Sequence, residues 1–115
     1  MAQNSRFEYA PSILQEDLEM CFLCGRRDRK LDRHEVFFGP YRRKAKEDGL
    51  WLMLCHYPCH EGPHGAQYDK IQRRSFSALA QQAAMARYGW TMEQWIARYG
   101  KNWLEVEDGK PNDEG

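Results

Sequence analysis

Four cysteines in two close pairs constrain the fold of this chain more than any other feature of its sequence. The pairs are Cys21 with Cys24 and Cys55 with Cys59, and Gly25 directly follows the first pair. Thiolates at this spacing can face a single ion, and the glycine permits the tight turn that such a pair needs. Nothing else in the chain resembles a disulfide framework, so we interpret the four residues as ligands of a structural zinc ion. Free or redox cysteines are the alternative.

Length and composition are typical of one small globular domain. The chain has 115 residues, of which 42% are hydrophobic and 30% charged, so its core would be thin without a stabilising metal. No apolar run approaches the roughly 20 residues of a membrane span, and no signal-peptide pattern opens the sequence. We expect a soluble, cytoplasmic protein with one domain over residues 1–115. Its core would lie at about 20–104, with frayed acidic ends at 1–8 and 106–115.

Charge is unevenly distributed, although the 17 basic and 17 acidic residues cancel. The acidic residues are concentrated at both ends, so residues 21–104 hold 15 basic and 8 acidic side chains. A positive surplus of this kind suits a polyanionic partner. The alternative is a solvated surface whose acidic tails serve solubility.

The segment between the cysteine pairs predicts two strands joined by a loop. Residues 31–38 have a strand pattern that ends at Gly39 and Pro40, and the apolar run at 50–54 predicts a second, buried strand. The connection between them is basic and is predicted to be an exposed loop. Its residues Arg42, Arg43, Lys44 and Lys46 could lie against phosphates.

Helices are predicted on both sides of this hairpin. Apolar residues recur at helical spacing over 71–88 and end at Gly89, a typical C-terminal cap. Thr91 and Gln94 form a capping-box pattern for a second helix that buries Trp95, Ile96 and Tyr99 and stops at Gly100. A short helix is also predicted from Ser12, with Gln15 three positions on, burying Ile13, Leu14 and Leu18. The predicted fold class is therefore α+β.

All four histidines lie between or just after the cysteine pairs, at His34, His56, His60 and His64. His34 stands beside Glu35 in the first predicted strand, and the others follow the second strand. An acid or base on a strand that faces histidines near the next helix is a ready site for a catalytic divalent ion. The alternative for each histidine is a satisfied surface or core imidazole. Because the second cysteine pair is wider, His56 or His60 could also replace one thiolate at the zinc.

These motifs together resemble those of the HNH endonucleases of the ββα-metal class. Within that class they are most similar to the phage and prophage branch related to the RecA-dependent recombination-enhancement nuclease. The resemblance covers about residues 20–104. It rests on Cys21-x2-Cys24, residues 31–39, Gly49-Leu50, Leu54-Cys55, Cys59-His60 and the tail at 97–104.

The resemblance implies a hairpin and a helix that grip one divalent ion, Mg²⁺, Mn²⁺, Ni²⁺ or Zn²⁺, against the scissile phosphate of DNA. Of His34 and Glu35, one would ligate the ion and the other would activate water, and the sequence does not assign the two roles. His60 matches the family's histidine after the last cysteine and would be a metal ligand. Related sequences carry a further histidine where this chain has Gln67, so either His64 would complete the site or the site would be one ligand short.

The resemblance predicts a metal-dependent DNA endonuclease from a phage or prophage that acts in the bacterial cytoplasm. A recombination-protein filament or another protein could be a further partner. However, no asparagine lies between Met20 and Leu54, and Tyr41 and Gly49 stand where the family's middle residue is expected. The alternative function is therefore a catalytically silent HNH-fold module that binds DNA or a protein, such as a phage-encoded inhibitor.

Overall fold

Two antiparallel strands, β1 (Leu31–Glu35) and β2 (Trp51–Cys55), form the sheet of this α+β fold. The computed structural model describes residues 9–104, so the predicted frayed ends at 1–8 and 106–115 lie outside the described residues. The register pairs Leu31 with Cys55 and His34 with Leu52. The α+β class and both strands agree with the sequence-based prediction, although β1 ends earlier than predicted.

The connection between the strands is a helix rather than the predicted loop. A 3₁₀ turn (Gly39–Tyr41) leads into α1 (Arg42–Asp48). The segment is rich in Arg, Lys, Ala and Glu, which are strong helix formers. Gly49 ends the helix in the left-handed conformation, with φ of 76°, which glycine adopts without steric cost.

The helix predicted from Ser12 is absent from the described part of the chain, where this segment forms turns and bends. The Ser12 hydroxyl does accept hydrogen bonds from the backbone N–H groups of Leu14 and Gln15, at 3.1 and 3.2 Å. It also donates to the Trp51 carbonyl, and the Gln15 side chain accepts from the Met53 N–H. These residues therefore bind the segment to β2 instead of starting a helix. Leu18, predicted to be buried, is 37% exposed.

Two helices follow the sheet as predicted, α2 (Lys70–Tyr88) and α3 (Met92–Tyr99). Asp69 caps α2 by accepting hydrogen bonds from two backbone N–H groups, and Thr91 and Gln94 form the predicted capping box of α3. Both helices end at glycines in the left-handed conformation, Gly89 and Gly100.

The core lies between the sheet and helices α2 and α3. Trp95 and Tyr99 stack with ring centroids 4.3 Å apart and contact Phe37, which lies two residues after the end of β1. The prediction that Ile96 is buried is wrong, because 39% of it is exposed. None of the helices over residues 9–104 is both long and apolar enough to cross a membrane.

Candidate metal centres and a basic cavity

The four cysteine thiols meet at the end of β2. Their sulfur atoms all lie within 4.8 Å of one another, and those of Cys24 and Cys55 are 4.0 Å apart. A tetrahedral ion with bonds of about 2.3 Å to sulfur would set neighbouring sulfurs about 3.8 Å apart. None of the four is in a disulfide. The cluster therefore fits a zinc site and could hold a structural metal ion.

Electrostatics within this cluster favour ionisation of one thiol and oppose it at another. Burial acts against the Cys21 thiolate, but hydrogen bonds from backbone N–H groups, including those of Cys24 and Cys55, lower the pKa of Cys21 to about 7. Burial and the neighbouring thiols raise the pKa of Cys59 above its usual range. Without a cation the cluster would hold part of its protons, which metal binding would release.

A second cluster lies beside the first and consists of Asp32, His60 and Glu61. One potential ligand atom from each lies within 4.8 Å of the others. Asp32 Oδ2 is 2.9 Å from Nδ1 of His60 and 2.7 Å from Nδ1 of His56. Burial alone would raise the pKa of Asp32, but its hydrogen bonds with these two histidines hold that pKa below its usual range. Asp32 is thus a carboxylate, and a carboxylate with imidazoles is a common ligand set for divalent ions.

His34 adjoins this second cluster on the same face of β1 as Asp32, because alternate residues of a strand share a face. Its ring lies 5.2 Å from that of His60, and the side chain is almost fully buried. Burial, together with the charges of His60 and Arg73, lowers the pKa of His34 to about 4. Its Nδ1 is buried and has no hydrogen-bond partner among residues 9–104. His34 is therefore neutral at pH 7 and carries an unsatisfied ring nitrogen.

Two of the predicted catalytic residues lie outside this cluster. The Glu35 carboxylate is 2.7 Å from Nε of Arg42 and accepts a hydrogen bond from the Tyr9 hydroxyl. The His64 side chain is 94% exposed, and its nearest charged partner is Asp69 at 3.8 Å. The structure thus brings His34 and His60 together and does not bring Glu35 or His64 to them.

Asp32 is the site residue that sequence reasoning missed. It lies two positions before His34, and the period of two along a predicted strand could have placed both on one face. Glu61, adjacent to His60, was missed as well. Gln67, considered as a replacement ligand, donates its backbone N–H to the His60 carbonyl at 2.9 Å.

The basic residues of α1 are largely engaged within the protein. Arg42 pairs with Glu35, the Lys44 ammonium donates to the Arg98 carbonyl at 3.2 Å, and Lys46 lies 4.9 Å from the ring centre of Tyr9. Arg43 is the most exposed, at 82%, with Glu47 3.9 Å away. The structure therefore leaves α1 less free to bind phosphates than the predicted loop would be.

A cavity of about 430 Å³ opens between the 3₁₀ turn, α2 and the segment after α3. Four cationic side chains, Lys70, Arg73, Arg74 and Lys101, line it together with Phe38, Tyr41 and Trp103 and without any acidic residue. Sequence reasoning missed this cavity because its residues come from three separate segments. The spacing of Lys70, Arg73 and Arg74 on one helix face is the signal that could have indicated it.

No protein-family profile, curated protein or solved structure matches this chain. The functional features of the chain are a four-thiol cluster, a carboxylate–histidine cluster on the sheet and a basic cavity.

Proposed function

We propose that this protein is a metal-dependent HNH-type endonuclease that hydrolyses phosphodiester bonds of DNA. One observation carries the proposal: Asp32 and His34 on one face of β1 lie against His60 from the segment after β2. A carboxylate and an imidazole suited to a divalent ion, with a neutral imidazole beside them, are the groups that metal-assisted hydrolysis requires. The basic cavity close to this cluster supports a polyanionic substrate.

The residues of the cluster would have two roles, metal binding and proton transfer. Asp32, His60 and Glu61 would hold the catalytic ion, Mg²⁺, Mn²⁺, Ni²⁺ or Zn²⁺, and the hydrogen bond from His60 to Asp32 already orients both groups. When bound, such an ion stabilises negative charge on the phosphate and on the leaving 3′ oxygen. His34 would accept the proton of the attacking water, since it is neutral and its Nδ1 has no partner within the described residues.

A structural zinc ion at Cys21, Cys24, Cys55 and Cys59 belongs to the same proposal. Four thiolates in two local pairs form a closed tetrahedral site, which zinc occupies in many small domains. The guanidinium of Arg29 is 3.9 Å from the Cys55 sulfur and would offset part of the negative charge of four thiolates. The ion would fix the end of β2, and with it the segment that carries His60.

The sequence resemblance extends this proposal to a phage or prophage protein that acts on DNA in the bacterial cytoplasm. A catalytically silent module that binds DNA or a protein is the second candidate. It is favoured by the position of Glu35, which pairs with Arg42 outside the cluster, and by the absence of asparagine from residues 21–53.

Plasmid nicking by the zinc-loaded protein, with each divalent ion in turn, tests the proposal. We expect His34→Ala, Asp32→Asn and His60→Ala each to lower the nicking rate by about 100-fold or more, as expected on losing a positioned acid, base or ligand. His60→Ala and Asp32→Asn should also raise the concentration of divalent ion that is required. His64→Ala and Glu35→Gln are the matched controls, and both should leave the rate little changed.

Circular dichroism and zinc content show whether each variant retains its fold. The proposal would be overturned if the wild-type protein cleaved neither duplex, single-stranded nor recombination-filament DNA with any of the four ions. It would equally be overturned if folded Asp32→Asn and His60→Ala variants nicked at the wild-type rate. In the first case the silent binding module is the function that remains.

A further inference from the structure

The cavity beside α2 combines positive charge with exposed aromatic surface. Lys70, Arg73, Arg74 and Lys101 line it, and no acidic residue does. Its volume of about 430 Å³ lies within the range of small-ligand sites. Four like charges around one hollow repel one another, so an anion in the cavity would relieve that repulsion.

Acidic partners are lacking for these four cations within the part of the chain that the structure describes. Over residues 9–104, none of them is in an ion pair, whereas Arg26, Arg27, Arg42 and Arg98 all are. Lys101 instead lies 4.5 Å from the ring centre of Trp103. No acidic side chain of residues 9–104 therefore competes with an external anion for these charges.

The aromatic residues of the cavity suit a planar ligand. Phe38 is 43% exposed although it is a large apolar residue, and it shares the cavity with Tyr41 and Trp103. Aromatic rings of this kind stack on nucleic-acid bases.

The cavity also adjoins the proposed catalytic cluster. The ring of Phe38 lies 6.1 Å from that of His34, which in turn lies 5.2 Å from that of His60. A ligand on Phe38 would therefore be close to the cluster at which we place cleavage.

We propose that this cavity binds one unpaired nucleotide of a single-stranded nucleic acid, with the base against Phe38 and Trp103 and the phosphate on Arg73 and Arg74. In a duplex the faces of the bases are stacked on each other, so they become accessible to protein rings only when a base is unpaired. The inference rests on the proposed function, because the scissile bond lies next to the cavity only if the cluster cleaves DNA. It deepens that function by naming single-stranded DNA, or DNA with an unpaired segment, as the substrate.

Fluorescence anisotropy with labelled (dT)12 and a 12-base-pair duplex tests the inference. The zinc-loaded protein is used without added divalent ions, so that the measurement is independent of cleavage. We expect (dT)12 to bind more tightly than the duplex at equal salt concentration. Phe38→Ala should weaken (dT)12 binding about tenfold, which is the effect of losing one stacked base. Arg73→Ala/Arg74→Ala should weaken it at least as much.

A matched control is Arg27→Ala/Arg87→Ala, which removes the same charge from two residues that do not line the cavity and should have a smaller effect. Thermal unfolding verifies the fold of every variant. Equal binding of duplex and (dT)12, or unchanged binding by folded Phe38→Ala, would overturn the inference. Competition by free dTMP at the same concentration as (dT)12 would also overturn it, because the cavity would then be a mononucleotide site.

The two proposals can fail separately. If (dT)12 binds through Phe38 but no DNA is nicked, the cavity is a nucleic-acid site and the nuclease proposal fails. If DNA is nicked but (dT)12 binding does not depend on Phe38, the nuclease proposal stands and the cavity inference fails.

Discussion

Alternation along β1 determines which residues belong to the candidate site. Asp32 and His34 share one face and lie near His60, while Arg33 and Glu35 lie on the other, where both are close to Tyr9. The family resemblance implies that the adjacent residues His34 and Glu35 act on one ion. A regular strand cannot present two consecutive side chains to the same face, which is why Asp32, and not Glu35, lies beside His34 and His60.

Cys24→Ala tests the metal at the level of a single residue. Cys24 is exposed, and truncating an exposed side chain that binds nothing changes stability by at most about 0.5 kcal/mol. As a metal ligand its loss should instead cost several kcal/mol or prevent folding, because metal binding energy is also folding energy. Elemental analysis and urea unfolding measure both effects.

The neighbouring Leu23 provides the control for that experiment, since it is 41% exposed and offers no ligand atom. Leu23→Ala should retain the metal and nearly all of the stability. A folded wild-type protein without metal, or a Cys24→Ala variant as stable as Leu23→Ala, would contradict the assignment of Cys24 as a ligand.

At the scale of elements, the sequence predicted those whose signals are local. The capping box of α3 and the glycines that end α2 and α3 depend on neighbouring residues alone, and all are present. The helix predicted from Ser12 fails because its hydroxyl and the Gln15 amide bond to β2, a long-range contact that no local pattern reveals. Helix α1 is different, because its helix-forming residues and the Gly49 cap are local signals, and the prediction of a loop did not use them.

A buried ion pair between Asp48 and Arg98 is a long-range contact that joins α1 to α3. The Asp48 carboxylate accepts hydrogen bonds from Nε of Arg98 at 2.6 Å and from the Tyr99 hydroxyl at 2.6 Å. Only 10% of the Asp48 side chain is exposed, against 30% of Arg98. The pair brings the end of α1 against the last turn of α3.

We expect Asp48→Asn to lower the free energy of unfolding by about 3 kcal/mol, because it leaves Arg98 without its buried partner. Glu47→Gln is the control, since Glu47 meets the same Arg98 at 3.1 Å but is 58% exposed. It should cost no more than about 1 kcal/mol, as is usual for a surface pair. Urea unfolding of both variants gives the comparison, and equal losses would mean that burial of Asp48 does not control the strength of the pair.

At the scale of the molecule, the sequence predicted a positive surplus between the acidic ends but not the surface that carries it. The predicted phosphate contacts were those of the basic run at 42–46, where the cations are adjacent in sequence. In the folded chain Arg42 and Arg43 pair with Glu35 and Glu47, whereas the four cations of the cavity, Lys70, Arg73, Arg74 and Lys101, come from α2 and the segment after α3 and have no acidic partner among the described residues. Their proximity arises from the packing of α2 and the segment after α3 around one cavity.

The salt dependence of (dT)12 binding shows which surface of the protein binds the nucleic acid. Each phosphate contact on a single strand contributes about 0.7 to the slope of log affinity against log salt. Arg73→Ala/Arg74→Ala should therefore reduce the slope by about 1.4 if both side chains contact phosphates. Arg42→Ala/Arg43→Ala removes the same charge from α1 and should reduce the slope less, because Glu35 and Glu47 already lie beside these arginines. If the α1 variant reduced the slope as much or more, the phosphates would bind to α1, as the sequence alone predicted.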